Sequence, residues 1–255
     1  MIRTRIIPCL QLIDQSIVKT KKFSKFNYVG DPINTVKIFN ELEVDELCFL
    51  DIRATINKKQ PNFKILKEIA NECFMPLSYG GNIRNFDIAK KILSIGFEKI
   101  IINSYAVENP NFIKKLSKHF GCQAIIISID VKKNFLGNYH VYINDGKKKT
   151  KLEPVKWAKK VEKLGAGELL LTSIDKEGTW EGFDTKITKK ISQAVKIPVI
   201  ANGGAGNIHH IYEVIKKSKA SAVALGSMLI YQKKNMGILI NFPDKKKLFK
   251  LIEKN

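Results

Sequence analysis

No apolar run in this chain approaches the roughly 20 residues that a membrane helix needs. No leading segment joins a basic start, an apolar middle and a small-residue cleavage site. The expectation is a globular cytoplasmic protein without a membrane span or a signal peptide. Cysteine is sparse: Cys9, Cys48, Cys73 and Cys122 are scattered, with no CxxC and no histidine-rich partner motif. Three of them fall in or beside apolar runs, which predicts buried free thiols in a reducing compartment and no metal site. No cofactor is expected. Acidic residues are few, 24 against 44 Lys and Arg, which leaves a formal net charge of +20. The lysine runs "KTKKFSK", "DGKKKTK" and "PDKKKLFK" lack interleaved aromatics that could stack on bases, so nucleic acid is not the expected partner. The positive field would instead attract anionic small molecules, phosphates among them.

What the chain has is alternation. Short β-branched runs ("RIIPCLQL", "ELCFLDI", "MPLSYGG", "KIIINS", "AIIISIDV", "ELLLTSI", "IPVIANGG", "AVALGS") alternate with amphipathic helical stretches. In "DPINTVKIFNELEV", Asp31 is placed to cap a helix and Pro32 fits its first turn. Eight strands alternating with helices over 255 residues predict an α/β fold, a (βα)8 TIM barrel. The second half also echoes the first at a spacing of roughly 120 residues, a period long enough to mark a duplicated unit. "RIIPCLQL" aligns with "AIIISIDV", "DELCFLDI" with "GELLLTSI", "MPLSYGGNI" with "IPVIANGGAG" and "IIINSYAV" with "VALGSMLI". Two pseudo-symmetric half-barrels, roughly 1–122 and 123–245, are expected to form one domain over 1–255.

In such a barrel the reactive face lies at the C-terminal strand ends. Each half supplies a Gly-Gly turn after its third strand, Gly80–Gly81 and Gly203–Gly204. Each also supplies a small polar pair after its fourth, Asn103–Ser104 and Gly226–Ser227. Glycine-rich turns let backbone N–H groups face an anion, so two phosphate sites across the mouth are expected. The simpler alternative is that both turns only preserve βα geometry. The first strands of the halves end in Gln11 and Asp130. A carboxylate at the lip of an apolar strand suits proton transfer, whereas an amide hydrogen-bonds and exchanges no proton. At the opposite end Arg5, Glu46, Lys99 and Glu168 stand at strand starts. Period-2 alternation places Arg5 on the face of Gln11 and Lys99 on that of Asn103, so an inward ring of opposite charges is one reading. Ordinary solvated strand starts are the other.

These residues resemble the cyclase subunit of imidazole glycerol phosphate synthase over nearly the whole chain. The resemblance is carried by "RIIPCL", "GDP", "KIIINS", "SIDVK", "WAKKVEKLGAGELLLTSID" and "IPVIANGGAG". It implies a barrel that receives ammonia from a glutaminase docked on its N-terminal face, through a gate formed here by Arg5, Glu46, Lys99 and Glu168. It implies a phosphorylated ligand at Gly81, Asn103 and Ser104 and at Gly204, Gly226 and Ser227. It places Lys19 on a mobile first loop and Glu177 and Gly178 at the substrate. The family uses two aspartates, of which Asp130 is present, whereas Gln11 occupies the other position. Asn82 stands where the family has a third glycine, and Glu177 where it has Asp. The tail "LINFP" and the stretch "YVGDPINTVKIFNE" are similar to a paralogous branch, the WbuZ-type glycosyl amidation proteins. That likeness implies ammonia handling beside a third, sugar-amidating enzyme that makes an acetamidino group on a nucleotide-linked sugar. A working cyclase of histidine biosynthesis and a non-catalytic ammonia-channel scaffold are the alternatives.

Overall fold

A chain of alternating strands and helices buries its apolar surface twice: once inside the ring of strands and once between strands and helices. The computed structural model describes residues 4–253. Eight parallel strands close on themselves: β1 (Arg5–Ile13), β2 (Leu47–Asp51), β3 (Leu77–Gly80), β4 (Lys99–Ile102), β5 (Ile125–Lys133), β6 (Glu168–Ser173), β7 (Val199–Asn202) and β8 (Ala222–Leu225). β1 pairs with β2 on one side and with β8 on the other, so the sheet has no free barrel edge. The expected (βα)8 barrel is the fold of this protein.

Strand register repeats between the halves. Gln11 pairs with Leu50 and Asp130 with Thr172. Leu50 pairs with Gly80 and Thr172 with Asn202. Gly80 then pairs with Ile101, and Asn202 with Ala224. Gln11 and Asp130 therefore occupy equivalent places in two equivalent four-strand arcs.

The connecting helices are α1 (Pro32–Glu41), α2 (Phe63–Glu72), α3 (Phe86–Ile95), α4 (Asn111–Phe120), α5 (Pro154–Lys163), α6 (Thr185–Ser192), α7 (Ile208–Ser218) and α8 (Lys245–Glu253). Asp31, Asn62, Asn85, Asp184 and Asn207 cap five of them, each accepting the N–H three residues on. Alternation along each strand sorts its side chains. Ile6, Leu10 and Leu12 of β1 join Val36, Phe39 and Ile69 of the helices in an outer layer. Ile7 and Cys9 point inward, against Cys48, Ile101 and Leu170. Of the thiols, Cys9 and Cys48 are buried, Cys73 is half-buried and Cys122 is exposed. Cys73 caps the C-terminal end of α2, where it is covered on one side only, so two of the three thiols expected in the core are buried.

Two excursions rise over the C-terminal face. β1 does not stop at Gln11 but runs on to Ile13 and folds back antiparallel as Ser16–Thr20, which pairs in turn with Phe26–Gly30. β5 runs past Asp130 to Lys133 and folds back as Tyr139–Ile143. The tips meet: a Cβ added to Gly146 would come within 3.0 Å of the Phe23 ring. Among the described residues no helix is long and apolar enough to cross a membrane.

Candidate functional site

The inward positions form a stack of layers along the barrel axis. At the N-terminal end, Arg5, Glu46, Lys99 and Glu168 close a ring of ion pairs. Arg5 donates to Glu46 at 2.8 Å and to Glu168 at 2.6 Å. Lys99 donates to Glu46 at 3.2 Å and to Glu168 at 2.9 Å. Glu46 and Glu168 are buried, so each depends on its two cations. Burial pushes the Glu168 carboxyl up, but Arg5 and Lys99 outweigh it and hold the group below its ordinary range.

Above the ring lies a cavity of about 10 Å³, the space of roughly one water molecule, bounded by Glu46, Cys48, Ile101 and Leu170 among others. Its walls are apolar except for Glu46, at the end that meets the ring, and Ser78, whose hydroxyl donates to the Leu47 carbonyl at 3.3 Å. Cys48 of this layer faces Cys9 of the next, with the sulfurs 3.8 Å apart. The Cys9 thiol, followed by burial, pushes Cys48 well above its ordinary range, so Cys48 stays protonated.

At the C-terminal end the mouth is divided in two. A larger cavity, about 120 Å³, is lined by Gln11, Asp51, Gly81, Asn82, Asn103, Ser104, Asp130 and Asp145 among others. A smaller one, about 20 Å³, is lined by Gln11, Lys19, Glu177, Gly178, Gly204, Gly226 and Ser227 among others. The structure thus gathers every mouth residue expected from the sequence around two adjoining spaces, with Gln11 on both.

Asp130 sits on the floor of the larger cavity. Its carboxylate accepts from Asn103 Nδ2 at 3.0 Å and from Ser128 Oγ at 3.2 Å. Burial is the largest influence on it and, with Asp145 nearby, prevails over the hydrogen bonds, raising the pKa from 3.8 to about 7. Such a group holds and releases protons at neutral pH.

Gln11 is fully engaged. Its Oε1 accepts from the Thr20 amide at 2.9 Å and the Thr20 hydroxyl at 3.1 Å. Its Nε2 donates to Glu177 Oε1 at 3.4 Å. Lys19 forms a buried ion pair with Glu177, and the Lys22 amide donates to the Glu177 carbonyl at 3.0 Å. Lys19 therefore does not ride on an open loop. It belongs to a strand folded over the mouth, and Gln11 pins that strand down.

Asn82 adopts a left-handed backbone (φ 46) and donates Nδ2 to the Lys59 carbonyl at 2.7 Å, so its added side chain ties two loops together beside the cavity. Ser104 accepts from the Asn144 amide at 3.0 Å, which brings the second excursion onto the same wall. Gly204 (φ 108) leaves no room for a Cβ against the Gly182 carbonyl. Gly226 is different, since a Cβ there would press on the flexible end of Lys19, with Cε at 2.8 Å and Nζ at 3.4 Å, and would meet the Cys9 carbonyl at an ordinary 3.6 Å. Gly226→Ala is expected to keep the melting temperature within a few degrees while weakening inorganic phosphate binding about tenfold, read by isothermal titration. Undiminished phosphate affinity would exclude this cradle as an anion site.

Three participants escaped the sequence reading. Asp51 accepts from the Ala54 and Arg53 amides at 2.9 and 3.2 Å, yet burial keeps its pKa raised. Asp145 is raised to about 6, chiefly by burial. Thr20 links Gln11 to Glu177, its hydroxyl lying 3.1 Å from Glu177 Oε2. Asp51 ends a predicted strand and could have been found on that ground. Asp145 lies in "NDGKKK", which reads as an ordinary turn.

Comparison with known proteins gives a consistent result. Residues 5–235 match the family described as "Histidine biosynthesis protein". The chain is 44% identical to "Putative imidazole glycerol phosphate synthase subunit hisF2" of Pseudomonas aeruginosa, over 97% of this chain and 99% of the relative. It is 45% identical to the imidazole glycerol phosphate synthase subunit HisF of Hydrogenobaculum sp., over 91% of this chain and 92% of the relative. It is 39% identical to the HisF subunit of Methanococcus vannielii, over 100% of this chain and 98% of the relative.

Proposed function

The chain belongs to the histidine biosynthesis protein family, HisF type, and from that premise we propose that it is the ammonia-using cyclase subunit of an imidazole glycerol phosphate synthase. Ammonia enters at the N-terminal ring from a glutaminase docked on that face, crosses the lumen and meets a phosphorylated ligand at the mouth. The observation that carries this reading is the position of Asp130. It is a buried carboxyl with a pKa of about 7, on the floor of a cavity that also holds Gly81, Asn103 and Ser104. The ring and the small lumen cavity above it lie on the same axis and supply the reading of a conduit. Ammonia is about the size of water and fits a space of that volume. The Gly81 and Gly204/Gly226 turns would hold the ligand's two phosphates, with Lys19 beside the second.

The test is direct. The ribulosyl formimino substrate is supplied with ammonium salt, and imidazole glycerol phosphate is followed. Turnover in the wild-type chain supports the reading, and its absence with folded protein removes it.

One observation favours a second reading. Gln11 stands where the family carries its other aspartate, which fits a barrel that conducts ammonia toward amidation of a nucleotide-linked sugar by a third enzyme. The named relatives give that role no support, and it rests on Gln11, the "LINFP" tail and the stretch "YVGDPINTVKIFNE". A pure ammonia-channel scaffold would show neither product without a partner enzyme. Glutamine-dependent acetamidino-sugar formation in a reconstituted three-protein system, with no imidazole product, would favour the sugar reading.

A further inference from the structure

We propose that Glu177 is the second proton-transferring carboxylate of this site, with Gln11 as the residue that positions it. The inference rests on the cyclase-type reading and names the group that completes it. The mouth needs two acid–base groups if one proton is to be taken and another returned. Position 11 supplies none, because an amide neither gains nor loses a proton near neutral pH. Yet the carboxylate has not left that corner of the site. Glu177 Oε1 lies 3.4 Å from Gln11 Nε2, within hydrogen-bond reach of the amide that occupies position 11.

Four further observations fit this assignment. Glu177 is buried and lines the smaller cavity, so it faces a ligand rather than solvent. Both of its oxygens have partners: Oε1 meets Gln11 and Lys19, and Oε2 lies 3.1 Å from the Thr20 hydroxyl, whose one proton serves either it or Gln11 Oε1. Its charge is the least of the influences on Asp145 of the larger cavity, behind burial and the nearby Lys147 and Arg53, and it acts in the raising direction. Gln11 lines both cavities and donates to Glu177, so an acid at position 11 would crowd two negative charges together. The amide at 11 and the acid at 177 are thus a matched pair.

In the working cycle a phosphate at Gly204 and Gly226 draws Lys19 toward itself and frees one Glu177 oxygen. When the nitrogen of ammonia bonds to a ligand carbonyl carbon and the C=O π bond opens, Glu177 takes one proton from that nitrogen. Asp130, on the other side, gives one proton to the carbonyl oxygen, which stays on the carbon as a hydroxyl. One proton is accepted and one supplied, so the step needs no outside donor or oxidant.

The experiment compares four proteins with ammonium as nitrogen source: wild type, Glu177→Gln, Gln11→Asp and the double variant Gln11→Asp/Glu177→Gln. Asp130→Asn serves as the inactive control, and thermal melting verifies folding. Glu177→Gln is expected to lower kcat about 100-fold or more, in the range of a lost acid–base group, and to erase one limb of the pH–rate profile. The double variant, which moves the carboxylate back to position 11, is expected to recover at least tenfold of that loss and the missing limb. A folded Glu177→Gln variant with wild-type kcat and pH profile overturns the assignment while leaving the cyclase reading intact. A folded double variant no better than Glu177→Gln also overturns it. A wild-type protein with no turnover removes the reading beneath it as well.

Discussion

Asp130→Asn is expected to remove at least a hundredfold of ammonium-fed turnover and, at the same time, to make the fold more stable above neutral pH. The loss of rate follows from the role: a buried carboxyl that titrates near 7 takes and gives protons at working pH, and an amide does not. The gain in stability follows from linkage. The folded protein holds the Asp130 proton more tightly than the unfolded chain, because burial lifts its pKa from 3.8 to about 7. Below about pH 4 the group is protonated in both states and costs nothing. As pH rises toward 7 the unfolded chain ionises first, and the folded state loses stability relative to it. Three pKa units correspond to about 4 kcal/mol at most, reached above pH 7. The difference in unfolding free energy between the variant and wild type should therefore be near zero at pH 4 and several kcal/mol at pH 8, measured by urea titration. A variant that loses activity and stability together at pH 8 would mean that the side chain braces the fold.

The second large effect concerns the ring. Arg5→Met removes one of the two cations that neutralise Glu46 and Glu168, and Lys99 must then serve both. Breaking one side of a buried pair costs about 3–5 kcal/mol. The remaining lysine and the partial exposure of Arg5 place this case near 3 kcal/mol. The functional consequence is asymmetric. Ammonium added from solution reaches the mouth directly, so ammonium-fed turnover should change less than twofold at a temperature where the variant is folded. On the proposed route, nitrogen from glutamine hydrolysis in a partner passes the ring, so turnover driven by it should fall at least tenfold while hydrolysis continues. Equal losses with both nitrogen sources would remove the gate from the account.

How legible this site was depends on which residues carried a period. Arg5, Lys99 and Glu168 begin apolar strands, and alternation puts Arg5 and Lys99 on the mouth-facing side, so the pattern offered an inward ring beside ordinary solvated strand starts, and only the family resemblance favoured the ring. Asp130 and Gln11 were legible for the same reason, as polar interruptions of apolar runs at equivalent places in a repeat. The closing contacts of the mouth were not. Thr20 reaches Gln11 only because the chain after β1 folds back antiparallel, pairing Gln11 with Val18. Asp145 reaches the larger cavity only because the chain after β5 does the same. Neither excursion has an apolar alternation strong enough to announce a strand. Lys19 shows the limit well: its sequence context reads as a basic loop, yet it is buried and neutralised by an acid at position 177. Contacts between residues more than 150 positions apart leave no local signature.

The central claim is that one lumen joins the ring to the mouth, so that nitrogen released on the N-terminal face reaches the carboxylates without entering solvent. It is tested most directly by isotope tracing in the complex with a glutaminase. Glutamine labelled with nitrogen-15 at the side-chain amide is supplied together with an excess of unlabelled ammonium, and the product is analysed by mass spectrometry. The account predicts product labelled far above the isotopic fraction of free ammonium, and a fall to that fraction in Arg5→Met. Product labelled only to the bulk fraction in the unaltered complex would contradict it.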